Sequence, residues 1–469
     1  MLLIAYLNEI RMGLIGKIKS ALWRVRVRRL FNSSRYELAE ALAFRKITDI
    51  DEAEFAKDII IRSLYNREKW ESVEEFYLEH PLEKFTQYST KARLKRISSP
   101  NHKILLPSEY QSKKWDEKDL LSNWHQEGNT LWLRYPNGWV YWEMPIEFDL
   151  EKISPGLLYL ALEVLLSPWV AEVRHWNTEV RAKGINLALS YSGGIDSTAA
   201  AVLLPNEAIL AYHKRDFESI LTHDLAMNSI NAWEKKYDQE ILIVPSNHER
   251  IRASYGKQIG FSTDFAAGVH LILLSDTLNL SSIAFGTPID NTWLAKGKKF
   301  RDFPQSQYWI KWKARFRSVG LELEFPINHI SEAGAMKICQ ESEIIDEINS
   351  CLRGSGLNGC MTCWKCFIKN GPLGRQVIFE SKEIQKFLST TPLRTAQHAL
   401  WAIQKQNFES KVPHLSTLLA DSLDWWENYY PPGLELISEG LRTGIEMETK
   451  KYLMPMADKT SLESVNIMF

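Results

Sequence analysis

Ile185-Asn186-Leu187-Ala188-Leu189-Ser190-Tyr191-Ser192-Gly193-Gly194-Ile195-Asp196-Ser197-Thr198-Ala199-Ala200-Ala201 decides how this chain reads. A short apolar run leads into a double-glycine turn, and a run of small residues opens a helix directly behind it. Adjacent glycines let the backbone curl so that several N–H groups face one anion, and the helix N-terminus adds unpaired donors and positive dipole. The hydroxyls of Ser192 and Ser197 flank the turn and can each donate to a phosphate oxygen. Asp196 is the odd member, because a carboxylate repels phosphates unless a magnesium ion or a backbone amide engages it. No Gly-Lys-Ser/Thr follows, so the turn is not a Walker loop, and it lacks the G-x-G-x-x-G spacing of a dinucleotide site.

Working outward, strand, loop and helix alternate. Strands are predicted at 186–190, 208–212, 241–245, 282–285 and 321–325, with the clearest helical stretch at 263–279. Short apolar strands separated by helices imply an α/β fold with a Rossmann-like parallel sheet covered on both faces, and place the glycine turn at the carboxyl end of the first parallel strand. Upstream, Thr130 to Phe148 reads as a hairpin turning at Pro136-Asn137-Gly138, the Asn-Gly pair supplying positive φ angles. Its alternating Trp and Tyr residues suit sheet packing or a stacking platform. Ser154-Pro155 is a helix start, and the helix is expected to run toward Val173. Residues 11–30 space Leu14, Ile15, Ile18, Leu22 and Val25 among Lys17, Lys19, Arg24, Arg26, Arg28 and Arg29, a basic amphipathic helix that reads as a solvated face or as a membrane-surface or RNA contact. After Cys366 the period is helical, with an aromatic cluster at Trp425 to Gly433 expected to pack on the body. The organisation expected is an α+β accessory domain over 1–150, the α/β domain over 151–375 and a helical region over 376–469.

The 469 residues suffice for two or three domains, and 45% hydrophobic with 25% charged residues is ordinary for a globular protein. A net charge of -1 gives no global pull toward nucleic acid or anionic membrane. The apolar start, Met1 to Leu7, has no preceding positive region and is interrupted by Glu9 and Arg11, so neither a signal peptide nor a membrane span is expected. Cys351, Cys360, Cys363 and Cys366 give C-x8-C-x2-C-x2-C, four soft thiolates within reach of one tetrahedral ion. Zinc fits best, with an iron–sulfur cluster or inert thiols as alternatives. Four sulfurs leave no position for water, so the ion would pin a loop. Thiols used this way point to a reducing compartment, and the cytoplasm is expected. Cys339 stands apart as a core residue.

Ser192-Gly193-Gly194-Ile195-Asp196-Ser197 resembles the SGGxDS signature of the PP-loop ATP pyrophosphatases. With the cysteine spacing downstream, the chain is similar to their branch of 7-cyano-7-deazaguanine synthases, relatives of which occur in bacterial anti-phage systems. The resemblance covers roughly 185–375 and implies a PP-loop (HUP-type) sheet with a zinc-bound loop. It also implies ATP cleaved to AMP and pyrophosphate with magnesium, and a carboxylate or amide, such as that of a deazapurine, adenylated for attack by ammonia or an amine. Ser192, Asp196 and Ser197 are then the catalytic candidates. Nucleotide contacts are expected from Ser190, Ser192, Gly193, Gly194, Ile195, Asp196, Ser197, Tyr212, Gly286, Thr287 and Asp290. The chain departs from that family in three places. Ala211-Tyr212-His213-Lys214-Arg215-Asp216 stands where an aromatic-Tyr-Gly-Gln segment belongs, and Gly260 to Phe265 stands in place of a Pro-x-Arg-Asn entry. Arg301-Asp302-Phe303-Pro304-Gln305 is the nearest counterpart of a Tyr-Pro-Asp-Cys-Arg segment.

Two other readings compete: a tRNA-thiolating type of PP-loop enzyme, and a non-catalytic ATP-binding scaffold. The partners expected are a small-molecule or protein acceptor, a protein complex held through the N-terminal region and a second copy of the chain, with nucleic acid not favoured. His213 reads as a substrate contact or a structural histidine. The positive run Lys296, Lys298, Lys299, Arg301, Lys311, Lys313, Arg315 and Arg317 reads as phosphate screening or as a solvated face.

Overall fold

The computed structural model describes residues 2–85, 88, 89, 92, 106–217, 219, 221, 223–354, 358–458 and 460–468. The chain divides into two units, residues 1–101 with 252–260, and residues 102–251 with 261–469. The first is helical: α1 (Leu2–Asn32), α2 (Tyr36–Phe44), α3 (Ala53–Asn66) and α4 (Trp70–Glu79). Its core collects Val27, Phe31, Ala56, Ile59, Ile60, Leu64 and Phe76. The basic helix expected at 11–30 lies within α1, and the side chains of Leu14 and Ile15 fall outside the described residues.

The second unit is mixed α/β, built on an eight-stranded sheet in the order β1-β2-β3-β6-β5-β4-β7-β10. Five strands run parallel: β4 (Asn186–Ser190), β5 (Ile209–Arg215), β6 (Ile241–Ser246), β7 (Leu280–Phe285) and β10 (Glu322–Glu324). The remaining three are antiparallel: β1 (Trp124–Glu127), β2 (Thr130–Tyr135) and β3 (Gly138–Glu143). A two-stranded ribbon, β8 (Leu294–Ala295) with β9 (Lys299–Phe300), stands apart. The helices of eight or more residues in this unit are α5 (Pro155–Leu166), α6 (Ile195–Leu203), α7 (Asp224–Tyr237), α8 (Gln307–Arg317), α9 (Glu332–Glu341), α10 (Lys382–Ser389), α11 (Ala396–Lys405) and α12 (Glu439–Tyr452). From β4 the chain steps outward through β5 to β6, then crosses back to place β7 and β10 on the other side of β4. The order therefore reverses between β4 and β7, and ligands of open α/β sheets bind at the carboxyl ends of the strands where it does so.

Three expectations are corrected. The hairpin turn pairs Tyr135 with Gly138, leaving Pro136 and Asn137 as its loop. Proline holds φ negative, so the turn with two positive φ angles is excluded. Helix α5 stops at Leu166, short of Val173, because Pro168 has no N–H to donate and its ring blocks the next turn. The helix expected at 263–279 is broken into a 3-10 turn at Asp264–Gly268 and a short helix at Val269–Leu273. Gly268 sits so close to β7 that a Cβ there would lie 2.7 Å from the Phe285 ring.

The hairpin aromatics serve packing, since Trp132, Trp139 and Tyr141 are buried in one cluster with Tyr110. Trp426, Tyr429 and Tyr430 are buried likewise. No helix among the described residues is long and apolar enough to cross a membrane.

Candidate functional site

Residues 191–194 link the carboxyl end of β4 to α6. Gly193 takes φ +71° and packs against α7, where a Cβ would lie 2.9 Å from Ala226 Cα. Both constraints demand glycine. The Ser192 N–H donates to Ser197 Oγ at 3.1 Å, the two hydroxyl oxygens are 2.9 Å apart, and the Ser197 hydroxyl donates to the Gly194 carbonyl at 3.0 Å. The flanking serines therefore form one cluster at the head of α6, with Ser192 exposed. From the far side of the β4/β7 crevice Gly286 abuts the same helix turn, a Cβ there lying 2.8 Å from Ser197 Cα. The turn, α6 and the start of the β7 loop are thus brought together. Thr287 lies half-buried beside Gly286.

The other sequence candidates lie differently. Ser190 donates to the Ala267 carbonyl at 3.1 Å, and the Tyr212 hydroxyl bonds His223 Nδ1. The Ile195 N–H donates to Ser350 Oγ at 3.1 Å. Asp290 is fully buried, with Oδ2 accepting the Glu332 N–H at 3.0 Å and Oδ1 lacking a hydrogen-bond partner.

The charge on Asp196 is answered by a side chain the sequence reading passed over. Lys369 Nζ lies 2.8 and 2.7 Å from the two Asp196 carboxylate oxygens, and 3.1 Å from Glu332 Oε2. His398 Nε2 lies 3.7 Å from the same Glu332 oxygen while engaging the Ile368 carbonyl at 3.0 Å. Burial raises the Asp196 pKa against the pull of Lys369, and raises Asp290 well above 3.8 with help from the Glu332 charge. Burial works on Glu332 too, yet Lys369 and His398 outweigh it and lower its pKa. Burial brings His398 down to about 4, so it is neutral near pH 7. Lys369 itself is raised above its ordinary value, burial being overcome by Asp196 and Glu332. The cluster thus holds one firm cation between two carboxylates, with a third carboxyl, Asp290, biased toward its protonated form.

The four cysteine sulfurs lie within 4.8 Å of one another. Cys363 Sγ and Cys366 Sγ are 3.6 Å apart, and Cys360 Sγ and Cys366 Sγ 3.8 Å. Zinc–sulfur bonds of about 2.3 Å in a tetrahedron put sulfurs about 3.8 Å apart. Backbone N–H groups of Arg353 and Cys360 point at Cys351 Sγ from 3.4 and 3.3 Å, the donors a thiolate needs. The set could hold a metal ion such as zinc. A Cβ on Gly359 would stand 2.9 Å from Cys366 Sγ, so glycine is required there. Cys339 stays apart in α9, its thiol facing the Ile195 carbonyl at 3.5 Å. The cluster touches the glycine turn twice: Ser350, beside Cys351, holds the Ile195 N–H, and Lys369, three residues past Cys366, holds Asp196.

His213 is a packed residue. It lies 3.2 Å from Glu249 Oε1, and Arg215 grips both oxygens of that carboxylate at 2.8 and 2.6 Å. Burial pushes its pKa well down. The basic run is largely spent within the protein: Lys311 and Arg315 pair with the buried Glu163 at 2.8 and 3.0 Å, and Arg301 donates to the Thr292 and Asn291 carbonyls at 2.6 and 2.7 Å.

Residues 311–464 match the model of a family described as a family of unknown function (DUF6395). That stretch holds the cysteines, Glu332 and Lys369 but not the glycine turn. The comparison with curated proteins gave no match.

Two outcomes follow from this geometry. A carboxyl whose folded pKa is raised costs stability as pH climbs from its unfolded value toward its folded one. Asp290→Asn, which keeps an acceptor for the Glu332 N–H, should therefore gain on the wild type as pH rises from about 4 to 7 and show little gain below 4. Urea unfolding at a series of pH values measures it. Elemental analysis should find about one zinc per chain, and Cys363→Ser should remove it. Because Ser350 and Lys369, chain neighbours of the cysteine cluster, hold the turn, metal loss should also open 192–197 to faster hydrogen exchange.

Proposed function

We propose that this chain is a PP-loop ATP pyrophosphatase, resembling the 7-cyano-7-deazaguanine synthases, that activates an acceptor by adenylation. The observation that carries the reading is the serine-flanked double-glycine turn where the strand order reverses, with the one carboxylate in it ion-paired to Lys369. A carboxylate left uncompensated there would oppose a triphosphate. Compensated, it orients the turn.

An oxygen of a carboxylate or amide acceptor attacks the α-phosphorus of ATP. The bond from that phosphorus to the α,β-bridging oxygen breaks, and pyrophosphate leaves with the electron pair. Ser192 and Ser197 turn their hydroxyls from one another to the departing oxygens, and the backbone amides of Gly193 and Gly194 add donors. Magnesium carried with the nucleotide would supply further charge neutralisation. Ammonia or an amine then displaces AMP from the adenylate, losing a proton and forming a C–N bond. A deazapurine acid is the small acceptor that the resemblance offers, with use in anti-phage defence as its setting.

Lys365 extends this machinery. It lies one helical turn before Lys369 on the same face, and among the described residues no carboxylate pairs with it. In this reading its ammonium would meet the leaving phosphates.

Purified protein with ATP, magnesium, ammonia and a deazapurine acid should yield AMP and pyrophosphate. Turnover to ADP and phosphate would overturn the reading. Ser197→Ala should cut kcat about 10²-fold, the loss found when one donor to a developing charge is removed. Lys365→Ala should weaken pyrophosphate binding about tenfold, with Lys365→Arg restoring part of it.

A further inference from the structure

Helix α1 has two apolar faces where its own unit uses one. Val27 and Phe31 are buried, and Trp23 and Leu30 pack with them against α3 residues. On the other side Ile18, Leu22 and Val25 are 52%, 64% and 62% exposed. Their spacing of four and three residues stacks them in a single stripe. At about 100° per residue, Lys19 and Arg26 project about 80–100° to one side of Ile18, and Lys17 and Arg28 about as far to the other. Arg29 falls within the stripe at its C-terminal end. All five cations are exposed, and residues 16–32 contain no acidic side chain. Among the described residues of α1, only Arg24 has an ion pair, with Glu52 at 2.7 Å.

We propose that this outer face of α1 docks on an anionic phospholipid surface, with Ile18, Leu22 and Val25 entering the boundary between headgroups and acyl chains. The flanking cations would lie level with lipid phosphates on both sides. An apolar stripe bordered on each side by Lys and Arg is the pattern of a helix lying in the interface plane. A nucleic acid would use the cations but leave the aliphatic stripe in water. A second copy of the same helix would set ten like charges against one another.

The full chain should co-sediment with vesicles of phosphatidylcholine and phosphatidylglycerol at three to one, and not with phosphatidylcholine alone. Leu22→Glu should lower the partition at least tenfold, as should the double variant Arg26→Glu/Arg29→Glu, and raised salt should weaken the wild type. These side chains are exposed, so circular dichroism should show an unchanged fold. Absence of sedimentation with the anionic vesicles would overturn the proposal, as would vesicle binding that Leu22→Glu leaves intact.

Discussion

Lys369 is the residue on which the centre of this molecule depends. It places one positive charge between the carboxylates of Asp196 and Glu332, at distances that allow hydrogen bonds to both. Two like charges brought out of water would each push the other toward protonation, and a protonated Asp196 would change the character of the helix head it occupies. Removing one partner of a fully buried pair is typically worth about 3–5 kcal/mol; here Lys369 and Glu332 are buried while Asp196 keeps some contact with solvent, which reduces that cost. The cysteine cluster, which could hold a metal ion, is tied to the same contact, since the segment from Cys363 to Cys366 runs directly into Lys369. A feature that looks peripheral thereby sets the electrostatics of the glycine turn.

The sheet supplies the other half of the arrangement. Because β5 and β6 lie to one side of β4 and β7 and β10 to the other, the order reverses between β4 and β7, the place where open α/β sheets bind ligands. Gly286 brings the β7 loop to within backbone thickness of the first turn of α6. Position and charge are thus fixed by separate parts of the chain: topology places the turn where the strand order reverses, and Lys369 answers the charge of Asp196.

What the sequence made legible was local. The strand, turn and helix around Ser192 to Ser197 lie within seventeen residues, and each step has a residue-level cause. The cysteines announce themselves because thiolates at that spacing have few other uses. The charge cluster was hidden because Asp196 and Lys369 are 173 residues apart: Asp196 stood out as a carboxylate in need of a partner, but nothing about Lys369 alone marked it as that partner. A weak signal existed, in that Lys369 follows Cys366 within one turn of helix. Glu332 carried none, since an acidic residue at a helix start reads as a solvated cap, and Asp290 was expected as a nucleotide contact, not as a buried neighbour of Glu332. Errors in the helices near 166 and 268 came from giving apolar content more weight than Pro168 and Gly268.

The antiparallel hairpin contributes something apart from chemistry. It joins the parallel strands through one register pair, Trp142 with Ser246, reinforced by side chains: Ser246 donates to the Tyr141 carbonyl at 2.6 Å and Asn247 accepts the Tyr141 N–H at 2.8 Å. Without it, β6 would present an open row of backbone donors and acceptors to any passing chain. The outermost strand is instead β1, four residues long and carrying His125, Gln126 and Glu127. So short and polar a border is a poor template for self-association, and the hairpin thereby guards the protein against aggregation from that flank.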